Sequence, residues 1–544
     1  MKSTHNDYPL TSDLAKKRPR RGSGLYYDPL YGYVALRPEI RRFLDLEVFQ
    51  RLRGLKQLST MYLVFPGAVH SRFEHSVGVA YLAGVVHDRL REGLPARGLD
   101  KKLMLNEITR ASLQVSALLH DIGHGPFCHL FEMFCRRNPE FQDWDHEEFG
   151  LKLLRGEGSL PIFQQIPTSL SRLADSLQKE FPDSSPLLGL LKPQNVFNIA
   201  MGTAPDLGDP DINSQYQFLK DVIPSAFGVD RLDYLRRDAY YTGINTGNID
   251  IWEIISNLSL HEYKGSIGLY LNPSVSVGLE ALLAARSAVY RRVYHNPIHR
   301  SAQELIVRAL AALGRHPEDL VLLTDDELLN MFLRSGDDFL IETYQRVKFR
   351  LLYEVLELVA HTDLTSYKSR LSRVKASGPD MEKKENHIAS QAKLARNHRV
   401  FYDLELVPAI KLEDFESKIF FDRVKGEPLS LFDLQPALAD LYRGSAAGDI
   451  KRAEAYRDAV SRIYVSFPFE HISSDIEAVS SNDPTHWPQL ANKIYMEKLS
   501  PLVSGFFDQI LEVNRPNEFN EHKEAIRHRA VAYLLDLISL TAET

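Results

Sequence analysis

ALLHDIGHGPF, residues 117–127, is an apolar helical run that stops on a histidine and an aspartate. Gly123, Gly125 and Pro126 break the helix directly after the His120-Asp121 pair. An imidazole and a carboxylate at one helix end form a hard-to-borderline donor pair, suited to Fe, Mn, Zn or Mg rather than a soft ion. The glycines let the next turn of backbone approach a ligand closely. An HD dipeptide alone is common and carries no chemistry, so the reading depends on what accompanies it.

Upstream, His75 lies in HSRFEHSVGVAYLAG (70–84), where Gly78, Ala80, Ala83 and Gly84 offer small surfaces for close helix packing. Arg72 sits three residues before His75, on the same helical face, and places a cation beside a candidate ligand. Downstream, GVDRLDYLRRDAYY (228–241) sets Asp230, Tyr234 and Asp238 at i, i+4 and i+8. That stripe is about 12 Å long, enough for a metal at one end and a sugar-sized group further along. In LLAARSAVYRRVYH (282–295), Arg286, Tyr290 and Tyr294 repeat the spacing as a second polar-aromatic stripe.

Helical periodicity covers Arg72–Arg91, Thr109–Ile122, Gly228–Tyr241 and Val275–Tyr294, and short strands are expected at Tyr33–Leu36 and Ile267–Leu271. Thr324–Glu327 reads as a helix start capped by Thr324 or Asp325. Beyond residue 340 the pattern changes. Leu340–Ala360 reads as helix, and Ser377–Asn397 is polar. Lys418–Leu431 suggests a hairpin around Gly426, Ser445–Arg457 is rich in small and charged residues, and Arg462–Pro468 resembles a strand. Lys523–Leu540 is amphipathic. The expected architecture is mainly α, a helical core with a small α+β C-terminal appendage. Its expected parts are a disordered basic tail (1–23), a catalytic domain (24–335) and an assembly region (336–544).

Composition sets the outer bounds. The 544 residues, 44% hydrophobic and 25% charged, suit a large soluble enzyme. No apolar run reaches membrane-spanning length, and the N-terminus lacks the apolar core of a secretion signal, so a cytoplasmic protein is expected. Cys128 and Cys135 form neither a zinc spacing nor a disulfide framework and read as inert thiols. A net charge of −7 argues against a protein built to coat nucleic acid. Lys16, Lys17, Arg18, Arg20 and Arg21 are the local exception: a solvated tail, a nuclear-import signal or a phosphate-binding arm.

The order His75, His120-Asp121, Asp230 resembles the HD phosphohydrolase superfamily. The surrounding words are closer to its dNTP triphosphohydrolase branch, which includes an animal SAM- and HD-domain enzyme and bacterial relatives. The matching words are FQRLRGLKQL (49–58), FPGAVHSRFEHSVGVAYLAG (65–84), LLHDIGHGPFCH (118–129), WDHEE (144–148) and VDRLDYLRRD (229–238). They cover residues 25–330 well and RIYV (462–465) weakly; no counterpart of the animal enzyme's SAM domain is expected.

The resemblance implies an HD-domain fold and one divalent metal held by His75, His120, Asp121 and Asp230, with Mg accompanying the nucleotide. It implies that His124, His129 and His146 ring the phosphate, with His129 as general acid and Glu147 as its orienting carboxylate. Arg72, Arg231 and Arg286 would bind the triphosphate through charge-assisted hydrogen bonds. Gln57 and Asp238 would hold the 3′-OH, Leu58 and Tyr234 would wall the sugar, and Tyr294 would fill the space of a 2′-OH. Tyr290 and His295 replace a His and a Gln of the animal enzyme, so base preference does not carry over. Asp45, Gln50 and Arg53 in LDLEVFQRLR match a regulatory pocket for GTP or dGTP at a subunit contact. A basic residue expected near Gly24 is missing, and YLNPSVSVGLEA (270–281) lacks the basic residues of a second effector pocket.

Each of these residues has a plainer role. A lone buried histidine is usually a satisfied core residue, aromatic stripes are usually core, and Asp45, Gln50 and Arg53 suit an ordinary amphipathic face on which all three share one helix. The functional alternatives are a dNTP triphosphohydrolase that forms a homo-oligomer, another HD phosphoesterase (a nucleoside monophosphatase or single-strand nuclease), and a catalytically silent nucleotide sensor. Intact ligands count against the silent sensor, and overall acidity counts against the nuclease.

Overall fold

The structure is a computed structural model that describes residues 26–245, 249–359, 378–394, 399–406, 412–436, 461–467, 484–505 and 516–543, with the single positions 472, 476 and 509. The basic tail, Gly24 and Ser445–Arg457 lie outside the described residues.

Two helices carry the centre of the molecule. The first, α1 (Arg72–Gly93), opens with a capping box in which Ser71 and Glu74 satisfy each other's backbone N–H groups. The second, α2 (Glu107–Leu119), is capped by the Asn106 side chain, which accepts from the Ile108 and Thr109 N–H groups. Both are buried along most of their length. Gly84 explains their close approach, because a Cβ there would lie 2.6 Å from Gln114 Nε2.

The chain then runs through α3 (His129–Arg137), α4 (His146–Arg155) and α5 (Val229–Thr242). It continues into α6 (Ser276–Val289), α7 (Pro297–Leu313), α8 (Asp325–Leu333) and α9 (Asp338–Phe349). Further on come α10 (Gly378–Gln391) and α11 (Pro516–Glu543). The fold is mainly α with small sheets. Thr324 is the cap of α8, in a capping box with Glu327, which leaves Asp325 free for another role.

The sheets are peripheral. β1 (Tyr26–Asp28) and β2 (Gly32–Val34) form a hairpin; the expected strand at Tyr33–Leu36 ends at Val34. β3 (Leu258–Tyr263) pairs antiparallel with β4 (Ser266–Leu271), in register Leu258↔Leu271. The later hairpin β7 (Phe420–Asp422) and β8 (Glu427–Leu429) joins this sheet through the parallel pair Leu271↔Phe420. Gly426, with φ +70°, supplies the left-handed turn of that hairpin. β5 (Glu354–Val359) and β6 (Phe401–Leu406) flank β9 (Ser461–Phe467) in a separate antiparallel sheet.

Two expectations are corrected. Leu340–Ala360 is not one helix: α9 stops at Phe349, Arg350 takes a left-handed φ of 57°, and EVLELV then alternates as β5. Helix α6 also ends early, and Tyr290–Tyr294 forms a π turn. The main core runs from Val34 to Phe432, and a second core gathers Ile388, Tyr402, Tyr495, Leu502, Ile526 and Leu534. Phe415, Phe420 and Leu431 belong to the main core, so a division at residue 335 follows neither core cleanly.

Candidate metal and nucleotide site

Four side chains meet where α1, the end of α2 and α5 converge. His75 is in the first turns of α1, His120 and Asp121 follow α2, and Asp230 is in the first turn of α5. His75 Nε2 lies 3.1 Å from Asp230 Oδ1 and 3.6 Å from Asp121 Oδ2. His120 Nε2 lies 3.4 Å from Asp121 Oδ2 and 3.7 Å from Asp230 Oδ1.

The tautomers are set from behind. His75 Nδ1 is 2.8 Å from Asp233 Oδ2, and His120 Nδ1 is 2.7 Å from the Ala117 carbonyl. Each ring therefore donates through Nδ1 and points its Nε2 at the shared point. His120 Nε2 is buried without a hydrogen-bond partner. Burial opposes protonation of His75, yet Asp230 and Asp233 overcome it and push the imidazole up to about 10. Burial likewise works against ionised Asp121, but Arg72, His120 and His124 hold it well below the usual carboxylate range. Two convergent imidazole nitrogens beside two ionised carboxylates fit a divalent cation, which would displace the Nε2 proton of His75.

Beside this centre stands a histidine cluster. His124 and His146 are stacked with ring centroids 3.9 Å apart, and His129 meets His124 edge-on at 5.1 Å. His124 Nε2 lies 3.2 Å from Asp121 Oδ1, so Asp121 faces both groups. Burial, then Arg72 and His146, push His124 well below the ordinary histidine value and keep it neutral. Gly123 lets α4 press in, since a Cβ there would lie 2.0 Å from the His146 carbonyl oxygen.

The carboxylate that orients these rings is Glu132, not Glu147. Glu132 is buried and its Oε2 lies 3.5 Å from His129 Nδ1, while its Oε1 meets His146 Nδ1. Glu132 is one helical turn after His129 on α3, whereas Glu147 is exposed on α4. Burial opposes ionisation of Glu132, but His129 and His146 hold it far below the usual range.

A second set of residues extends from Asp230 along α5. The Arg286 guanidinium sits over the Tyr290 ring at 4.3 Å, and Tyr290 meets Tyr294 edge-on at 4.8 Å. Tyr294 Oη donates to Asp238 Oδ2, and Asp238 Oδ1 lies 2.7 Å from His70 Nε2. Gln57 joins through its backbone N–H, which donates to the His70 carbonyl at 2.9 Å, and its Oε1 is buried without a partner. Leu58 is buried, Tyr234 is half-buried beside Arg286, and His295 is 6.1 Å from the Tyr290 ring.

Two of the expected phosphate-binding arginines have protein partners. Arg72 is buried, with Nη1 on Asp121 Oδ2 and Nε donating to Cys128 Sγ at 3.0 Å. Arg231 Nη1 donates to Asp414 Oδ2 at 2.9 Å.

Asp45, Gln50 and Arg53 do not share one helix face. Short elements at Pro38–Leu44, Glu47–Gln50 and Arg51–Gly54 replace the expected single helix. Gln50 donates to the Leu44 carbonyl and accepts from Arg53 Nε, and Arg53 stacks on Phe73 at 3.5 Å. Asp45 lies apart from that pair, in a cavity of about 220 Å³ with Arg42, Ser169 and Arg172.

Sequence reasoning missed Asp233, Glu132 and His70. Asp233 was legible as a second aspartate one turn after Asp230 and one turn before Arg237, but nothing local linked it to His75. His70 carried no signal, because its partner Asp238 is 168 positions away.

Residues 72–235 match the HD domain family and residues 249–422 match the HD associated region. The chain is an HD-domain protein with that associated region. It is 30% identical to the deoxynucleoside triphosphate triphosphohydrolase SAMHD1 of Danio rerio, over 54% of this chain and 45% of that protein. It is 26% identical to the enzyme of that name from Homo sapiens, over 71% and 60%. It is 27% identical to the uncharacterized protein YwfO of Bacillus subtilis, over 65% and 77%. The match thus spans about half to three-fifths of these two SAMHD1 proteins. A hypothetical protein from Aquifex aeolicus shares the fold, with a TM-score of 0.53, 22% identity and coverage of 82% and 97%.

Proposed function

We propose that this HD-domain protein hydrolyses deoxynucleoside triphosphates to deoxynucleoside and tripolyphosphate. The observation that carries the reading is that the His75, His120, Asp121 and Asp230 centre joins two groups, the His124–His146 stack through Asp121 and the Asp238–Tyr294 pair along α5, whose first turn holds Asp230.

His75, His120, Asp121 and Asp230 would hold a divalent ion, which when bound would make water more acidic and offset charge on the α-phosphoryl oxygens. His124, kept neutral, and His146 flank the phosphate. His129, with Glu132 across its Nδ1, holds the proton that the leaving 5′-oxygen requires. Arg286 takes a phosphate oxygen, joined by Arg231 and Arg72 once substrate charge competes with Asp414 and Asp121. Tyr294, fixed by Asp238, stands where a 2′-OH would be crowded and unpaired. Glu147 is left without a catalytic step.

The reading extends to a homo-oligomer activated by GTP or dGTP near Asp45, to Mg with the nucleotide and to a cytoplasmic setting. No helix among the described residues is long and apolar enough to cross a membrane. Product chromatography after incubation with dNTPs, NTPs, dNMPs and oligonucleotides, with and without GTP, tests it. Tripolyphosphate from dNTPs alone is expected. Release of monophosphate from dNMPs or cleavage of oligonucleotides would replace it with another HD phosphoesterase.

A further inference from the structure

Phe127 and Cys128 adopt left-handed backbone angles one after the other, with φ of 58° and 56°. Neither is glycine, and such conformations persist only where the surroundings over-determine them. They lie between His124 and His129, so the direction in which α3 sets out depends on them.

Asp325 supplies the constraint from almost 200 residues away. It is 1% exposed, and its Oδ1 accepts the Phe127 N–H at 2.6 Å in a buried hydrogen bond. Its Oδ2 accepts the Lys56 N–H at 2.9 Å. Lys56 returns the link, because its carbonyl accepts the Cys128 thiol at 3.4 Å. The ring Asp325–Phe127–Cys128–Lys56 is thereby closed, and Cys128 Sγ passes it on by accepting Arg72 Nε.

The same three segments are clamped a second time. Buried Arg51 donates to the carbonyls of His124 at 2.7 Å, Ile122 at 2.8 Å and Val321 at 3.0 Å. Gly54 lets the start of α8 come close, since a Cβ there would lie 2.4 Å from Thr324 Cγ2.

We propose that Asp325 is a positioning residue for the reaction: it holds the strained Phe127–Cys128 turn so that His129 and Arg72 face the phosphate of the nucleotide whose sugar Gln57 and Leu58 receive from the neighbouring loop. The inference rests on the reading that the His75–Asp230 centre is catalytic. A carboxylate is required, because two N–H groups point at the two oxygens. Asparagine offers one acceptor and turns an NH2 against the other donor.

The test uses full-length wild type and Asp325→Asn. One readout is steady-state hydrolysis of dGTP. The other is iodoacetamide labelling of Cys128 and Cys135, resolved by peptide mass, and needs no activity. Both thiols are buried, so Cys135 is the internal control. The Asn variant is expected to lose about tenfold or more in kcat with little change in KM, as misaimed groups do. Cys128 should label roughly tenfold faster with Cys135 unchanged, because only the turn is released.

If the Asn variant does not fold, Cys128→Ala breaks the same ring. It should lower kcat at constant KM, and Cys128→Ser, which keeps donor and acceptor, should restore it. Wild-type values of kcat and Cys128 labelling in Asp325→Asn would overturn the proposal. So would equal exposure of both cysteines, which marks general loosening. If the wild type hydrolyses no nucleotide, the functional reading fails while the labelling still decides whether Asp325 holds the turn.

Discussion

Replacing Asp233 with asparagine should weaken metal binding without touching a ligand. Asp233 is fully buried and accepts three bonds: from His75 Nδ1 at 2.8 Å, Arg237 Nε at 2.8 Å and Arg237 Nη2 at 2.9 Å. Asparagine keeps one acceptor oxygen. In the Oδ2 place that oxygen serves His75 Nδ1 and Arg237 Nε while the new NH2 faces Arg237 Nη2; in the Oδ1 place it serves Nη2 while the NH2 faces both His75 Nδ1–H and Arg237 Nε. At least one buried donor is orphaned either way, and Arg237 loses a charged partner, leaving Asp28 at 2.9 Å. Breaking a buried charge pair costs about 3 kcal/mol or more. At roughly 2 °C per kcal/mol for a large domain, Tm should fall by about 6 °C. Loss of the group that orients a metal-binding histidine should weaken metal affinity about 10–100-fold. Chelator competition and thermal unfolding on one preparation read both effects. A Tm within about 1 °C of wild type, with unchanged metal affinity, would refute the reasoning, because the three bonds would then be worth nothing.

Tyr294→Ala should raise the rate on GTP relative to dGTP by about tenfold or more, read from kcat/KM on both, as the 2′-OH gains room. Glu132→Gln should lower kcat by about 10²-fold or more, since His129 and His146 lose the buried carboxylate that orients their rings. Burial pushes Glu385, which contacts Arg308 and the Tyr402 N–H near buried Glu304, up to about 7 against the opposing pull of Arg308. Its folded value is raised, so its contribution is full below the unfolded value, declines as pH rises and is lost above about 7. Glu385→Gln removes that decline, so the Tm difference, variant minus wild type, should rise between pH 5 and about 7 and then level off. A difference that stays flat or falls over that range would contradict the assignment.

What the sequence made legible were features that repeat at short range. His120-Asp121, the Asp230–Tyr234–Asp238 stripe and the hairpin at Gly426 could be read because helix and strand periods place neighbours predictably. Glu147 is adjacent to His146 in WDHEE, whereas Glu132, in the middle of α3, has no such local link to that histidine. Only the fold shows that His129, His146 and Glu132 meet. The single-helix reading of Asp45, Gln50 and Arg53 failed because Leu46 is extended between Asp45 and Gln50, and the chain after it is one short α turn running into a 3-10 turn. The π turn at Tyr290–Tyr294 was invisible for a different reason: it leaves the apolar period nearly intact while moving Tyr294 onto Asp238. Asp325 read as a helix start, and its partners Lys56 and Phe127 are 269 and 198 positions away.

The central claim is that His75, His120, Asp121 and Asp230 together hold the ion on which hydrolysis depends. Metal content and dGTP turnover should be measured on the same samples of wild type and Asp121→Ala, each before and after chelation and re-addition of Fe, Mn, Zn or Mg. The account predicts about one ion per chain in the wild type, loss of ion and turnover together on chelation, and recovery of both on re-addition. In Asp121→Ala neither should recover. Full turnover in chelated wild type, or in Asp121→Ala, would contradict it.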